Sequence, residues 1–244
     1  MAFCELRYFS NALGLNTAAN VILPNPDVPG PYHVMFLLHG LSDDHTIWAR
    51  RTSIERYVEG MPLVVVMPNT HRGFYVDAVE GQAFGTAIGK ELPEIVRHYF
   101  PVRPEGWSVT GLSMGGYGAL RLALGNPGLF RSAVSHSGAV NFGNRKIEGD
   151  DDRAKEFGRI LGPDPVGGPN DLYALVRSCS PMPALRIDCG VDDFLIEDNR
   201  EFHRFLSGSG VLHEYDEYPG EHNWAYWDEH VQQALQFHRR NLGF

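Results

Sequence analysis

The apolar positions along this chain change their period repeatedly, and each change marks an element. Residues 5–24 read as two strands about a turn at 11–16. Residues 32–38 (YHVMFLL) form a short apolar run that stops at His39 and Gly40. Over 44–60 the apolar residues Ile47, Trp48, Ile54, Tyr57 and Val58 recur at roughly helical spacing. Residues 62–67 (PLVVVM) are apolar and β-branched without alternation, the pattern of a strand covered on both faces. The spacing predicts a helix over 82–100, with Ile88, Leu92, Ile95, Val96 and Tyr99 on one face. It then predicts a strand at 107–110 and a helix over 114–124 that Gly125, Asn126 and Pro127 stop. Further strands are expected at 132–136, 184–189 and 213–218, and further helices at 196–206 and 223–242.

Strands that alternate with helices of this length make βαβ units and a parallel sheet. The expected fold class is therefore α/β: a mostly parallel central sheet with helices on both faces. Such sheets bind ligands beyond the carboxyl ends of their strands. No repeat, low-complexity tract or linker divides residues 1–244, so one domain is expected. Residues 141–183 break the rhythm with a charged run at 148–156 and a Gly/Pro-rich piece at 161–169. An excursion of that length inside a compact domain reads equally as a small cap or lid and as a solvated surface insertion with one or two short helices.

Candidate chemistry falls at the ends of the expected strands. Gly111-Leu112-Ser113-Met114-Gly115 matches G-x-S-x-G, with a strand before it and a helix after it. That context is what a nucleophile elbow needs, because the serine sits on a sharp turn where flanking side chains would clash. Eleven histidines compete for the role of base. His98, His203, His230 and His238 fall within expected helices and are expected at the surface, whereas His222 follows the last strand, where this fold places its base. The acid is expected after the preceding strand, where Asp193 is preferred to its neighbour Asp192, with Asp188 inside the strand third. Backbone N–H groups of Met114 and of Leu41, in the loop after 32–38, are the expected oxyanion donors. His39 is expected to structure that loop. Gly40, Leu41, Trp48, Tyr75 and Trp224, with residues of the 141–183 insertion, are candidates for lining the substrate pocket. The implied chemistry is two-step acyl transfer through a serine ester.

Composition narrows the partners. The net charge of −9 disfavours nucleic acid and anionic membrane surfaces. No apolar run nears the ~20 residues that span a bilayer. The N-terminus lacks a basic-then-apolar signal pattern. Cys4, Cys179 and Cys189 are odd in number and match no zinc or redox spacing, so buried free thiols and a cytoplasmic location are expected. No His/Asp/Glu cluster has metal-ligand spacing. The pattern sets no oligomeric state.

Taken together, LLHGLSDDHTIW, GFYVDA, GLSMGGYGAL, CGVDDFL and GEHNWAYW resemble the esterase D group of α/β-hydrolases, in the same order, from about residue 5 to 240. That group includes S-formylglutathione hydrolases, tributyrin-type carboxylesterases and feruloyl-esterase-like enzymes. The resemblance implies Ser113, Asp193 and His222 as a catalytic triad, Leu41 and Met114 as oxyanion donors, no cofactor, and a small-molecule ester as substrate. S-formylglutathione hydrolases follow GFYVDA with a tryptophan and a tyrosine-rich stretch, where this chain reads VEGQAFGTAIGKELPEI. The expected activity is accordingly hydrolysis of short-chain carboxylic esters. A thioesterase of the S-formylglutathione type is the alternative, and a hydrolase-fold binding module without catalysis is the alternative of another class.

Overall fold

The computed structural model describes residues 1–244. An eight-stranded sheet runs through the chain in the order β1-β2-β4-β3-β5-β6-β7-β8. β1 (Ala2–Ser10) and β2 (Leu15–Leu23) form an antiparallel ribbon that joins β4 (Leu63–Pro68), also antiparallel. β3 (His33–Leu38), β5 (Trp107–Leu112), β6 (Phe130–His136), β7 (Ala184–Gly190) and β8 (His213–Tyr218) extend the sheet from β4 in parallel. Every residue of β3, β4 and β5 is buried, which is why β3 and β4 carry apolar runs without polar alternation. One face packs against the helix Met114–Gly125 through Tyr117 and Leu120, and the other against the helix Trp224–Leu242 through Val231 and Leu235.

Three expectations are corrected by packing. The 44–60 segment forms two short helices, Ile47–Arg51 and Ile54–Tyr57, rather than one. Between them the Thr52 hydroxyl donates to Trp48 O at 2.6 Å and accepts the Ile54 N–H at 3.2 Å, a local alternative to the helical ladder. The 141–183 segment is not one surface excursion: its helix Asp152–Leu161 borders a cleft and packs Ile160 and Leu161 on the core. The helix Leu172–Ser178 buries Leu172, Tyr173 and Val176 and belongs to the core. His230 and His238, expected at the surface, are buried.

His238 reaches from the last helix into the sheet, and its two ring nitrogens hydrogen-bond the Thr110 and Ser132 hydroxyls, both at 2.7 Å. Burial lowers its pKa to about 3, and burial likewise lowers that of His39 to about 4. The unfolded chain holds these rings near 6.5. Below that value the unfolded state takes up protons that the folded state refuses, so stability falls with pH until about 4 for His39 and about 3 for His238. Each ring contributes a loss of about 1.4 kcal/mol per pH unit in that window, or about 2 kcal/mol by pH 5. The urea midpoint is expected to drop steeply between pH 7.5 and pH 5; an unchanged midpoint would show that both rings take up protons in the fold as readily as in the unfolded chain.

Candidate active site

The end of β5 turns into the helix Met114–Gly125 at Ser113, whose φ of 53° and ψ of −115° lie outside the regions open to most side chains. The conformation is held from three sides. Ser113 N–H donates to His136 O at 2.9 Å, and Ser113 O accepts the N–H groups of Tyr117 and Ala139, both at 3.1 Å. The turn is tight enough that a Cβ on Gly111 would overlap the backbone of Gly115, while one on Gly115 would stand 2.5 Å from Leu38 O. Both elbow glycines are therefore required by close backbone approach.

His222 lies just before the last helix. Asn223 caps that helix by accepting the Tyr226 N–H, which sets where the loop ends and where His222 points. His222 Nδ1 is 2.8 Å from Asp193 Oδ2, and Nε2 is 3.0 Å from Ser113 Oγ. A carboxylate only accepts, so Nδ1 carries the proton and Nε2 is free to accept from the serine hydroxyl. Asp193 is 2% exposed. Burial pushes its carboxyl pKa up, but hydrogen bonds from His222, the Leu195 N–H and Ser137 outweigh that and hold it below the usual carboxylate value. Asp192 is exposed, and its carboxylate makes no hydrogen bond.

Asp188 has a different partner. It is fully buried, and both its oxygens lie 2.9 Å from Nδ1 of His136, its neighbour across the β6–β7 register. Tyr226 donates to it at 3.1 Å. Tyr226 is also the residue whose N–H Asn223 caps, so this buried cluster anchors the start of the helix that follows His222. Ser137 and Tyr226 carry no sequence signal for these roles, which depend on contacts between segments far apart in the chain.

The loop after β3 passes over the elbow. A Cβ on Gly40 would stand 2.8 Å from Leu112 Cδ1 and 3.9 Å from Ser113 Cβ. His39 holds this loop: its Nε2 accepts the Thr70 N–H at 3.1 Å, so Nδ1 donates to Gly40 O at 2.7 Å. The N–H groups of Leu41 and Met114 have no partner within the chain. Met114 is also the first residue of its helix, where free N–H groups and the positive end of the dipole favour an anion.

A cleft of about 810 Å³ opens over Ser113 and His222 and is lined by Gly40, Leu41 and Trp224 among others. Trp48 and Tyr75 do not reach it, contrary to the sequence expectation. Both are buried behind the wall, where Trp48 Nε1 donates to Leu38 O at 3.0 Å and the Tyr75 hydroxyl donates to His39 O at 3.0 Å. Their aromatic bulk supports the loop after β3 instead of lining the cleft. The helix Asp152–Leu161 supplies Arg153 and Glu156 to the cleft, and Glu156 is tied to Arg72 by a bidentate ion pair.

This sheet, with a serine elbow after its fifth strand and a histidine after its last, defines a serine hydrolase of the α/β-hydrolase fold. The chain belongs to the esterase family whose model is described as "Putative esterase", which matches residues 10–238, and it is a carboxylic ester hydrolase. It is 29% identical to the acetyl esterase of Caldicellulosiruptor saccharolyticus, over 97% of this chain and 98% of that one. Among solved structures it is similar to the fluorophosphonate-binding serine hydrolase FphF of Staphylococcus aureus, with a TM-score of 0.86 and 33% identity over 97% of this chain and 98% of that one. The S-formylglutathione hydrolase FrmB of the same organism superposes with a TM-score of 0.85 and 32% identity, again over 97% and 98% of the two chains. No helix is long and apolar enough to cross a membrane.

Proposed function

We propose that Ser113, His222 and Asp193 are the catalytic triad of this esterase and that Leu41 and Met114 N–H form its oxyanion hole. The reading rests on one observation, the unbroken line from Asp193 Oδ2 through His222 to Ser113 Oγ, with links of 2.8 and 3.0 Å. His222 takes the serine proton as Oγ attacks the ester carbonyl, and the two N–H groups receive the negative charge on the carbonyl oxygen. The proton then passes from Nε2 to the leaving alcohol, and water repeats the sequence on the acyl-enzyme. Short-chain acyl groups are the preferred substrates, because the cap is a single ten-residue helix with its connections. The three free cysteines suit a reducing compartment, and we place the protein in the cytoplasm.

The adjacent aspartates test the triad. Asp193→Asn is expected to lower kcat by about 10³–10⁴-fold, because an amide facing Nδ1 favours the wrong imidazole tautomer. Asp192→Asn is expected to stay within about twofold of wild type, as its exposed carboxylate makes no hydrogen bond. Equal effects of the two on p-nitrophenyl acetate hydrolysis would remove Asp193 from the triad. The similarity to FrmB keeps thioester cleavage as a second reading. A kcat/KM for S-formylglutathione far above that for p-nitrophenyl acetate would establish it.

A further inference from the structure

We propose that Phe194 is the leaving-group contact of this esterase, a flat apolar wall beside the base that favours esters whose alcohol carries an aromatic ring. The inference rests on the assignment of Ser113 and His222 above. Phe194 is 72% exposed, so its ring adds almost nothing to the core. The backbone around it is nevertheless fixed. Leu195 N–H donates to Asp193 Oδ1 at 2.8 Å and Ile196 N–H to Asp193 O at 3.1 Å, which closes a turn with Phe194 at its corner. The side chain is thereby directed away from the buried Asp193 and into the cleft that holds Ser113.

There the Phe194 ring lies 4.5 Å from the imidazole of His222, centroid to centroid, at 50°. The edge of Trp227 meets the imidazole at 4.9 Å and 90°. The leaving oxygen must come within about 3 Å of Nε2 to receive its proton. Whatever that oxygen carries then lies along the walls around the imidazole, where Phe194 and Trp227 contact the ring and Trp224 lines the same cleft. Trp224 is held in place by edge contacts to Trp48 at 5.2 Å and Trp227 at 5.3 Å. Phe194 has no aromatic partner except His222, so one face of its ring is free to receive a second ring.

Benzyl acetate and ethyl acetate test this directly. Both form the same acetyl-enzyme, so their kcat/KM values differ only in acylation and in contacts to the alcohol. Phe194→Ala is expected to lower kcat/KM for benzyl acetate about five- to tenfold more than it lowers kcat/KM for ethyl acetate. Phe194→Leu is expected to fall between Ala and wild type on benzyl acetate, and Phe194→Tyr to restore it. Melting temperatures are expected to match wild type, given the exposure of the ring. An equal loss on both esters would mean that the ring only steadies His222, and no loss on either would mean that the wall is unused; each overturns the proposal. Failure of the triad reading is seen separately, as a Ser113→Ala variant that still hydrolyses both esters.

Discussion

Ser113→Ala lowers kcat on p-nitrophenyl butyrate by about 10⁴–10⁶-fold and leaves the fold intact. The size of the loss follows from the number of steps that pass through one oxygen. The hydroxyl is the nucleophile of acylation, the attachment point of the acyl group and the leaving group of deacylation, and water bound in its place can do none of these in that geometry. What remains is the proposed oxyanion hole and the binding cleft, which still speed the reaction about 10³–10⁴-fold over water. Stability is unaffected for a local reason. Ser113 Oγ bonds only His222, and the strained φ of 53° is imposed by the backbone bonds to His136, Tyr117 and Ala139, which alanine keeps. Steady-state hydrolysis, a melting curve and labelling by a fluorophosphonate probe read the three aspects. A variant with wild-type turnover would overturn the assignment of the nucleophile.

Gly115→Ala is the second large effect, and it acts through the backbone rather than through a reacting atom. Its Cβ would stand 2.5 Å from Leu38 O and 2.7 Å from His39 O, both main-chain atoms at the end of β3. A flexible side chain could move aside, but these carbonyls cannot without shifting either the strand or the helix. Leu38 O also accepts the Trp48 indole N–H, and His39 O accepts the Tyr75 hydroxyl, so the strand end is braced from behind. The shift is forced between the loop that carries Leu41 N–H and the helix that carries Met114 N–H. Loss of one oxyanion donor costs about 10²–10³ in kcat, and overpacking adds about 1–3 kcal/mol of destabilisation. Gly125→Ala, at the far end of the same helix, is the control. Nothing lies within 4 Å of its Cβ, so activity is expected to be kept. Stability there is expected to rise by up to about 1 kcal/mol, the ordinary helix preference for alanine. Similar kcat values for the two variants would mean that the elbow tolerates the displacement and that the donors lie elsewhere.

Much of the site could be read from the chain because its signals are local. An elbow needs a strand, two glycines about a serine and a helix, all within some twenty residues, and residues 107–125 contain them in order. His222 was reachable through its position after the last strand and before a capped helix. The buried runs of β3 and β4 announced themselves by the absence of alternation. The helical spacing over 44–60 was real, but it could not show the hydroxyl of Thr52 interrupting the ladder.

By itself, then, the sequence determined the α/β alternation, the strand ends at which chemistry could occur, and the serine and histidine proposed as nucleophile and base. Only the tertiary structure decided among groups whose local surroundings are alike. Asp192 and Asp193 are adjacent in one loop, and the choice between them depends on which side of the turn faces an imidazole from another loop. Asp188 was drawn to His136 by strand register. Trp48 and Tyr75 went behind the wall while Phe194 went into the cleft. The physical reason is the same in each case: periodicity and turn chemistry act over a few residues, whereas the partner of a polar or aromatic side chain is chosen by how separate elements register and pack.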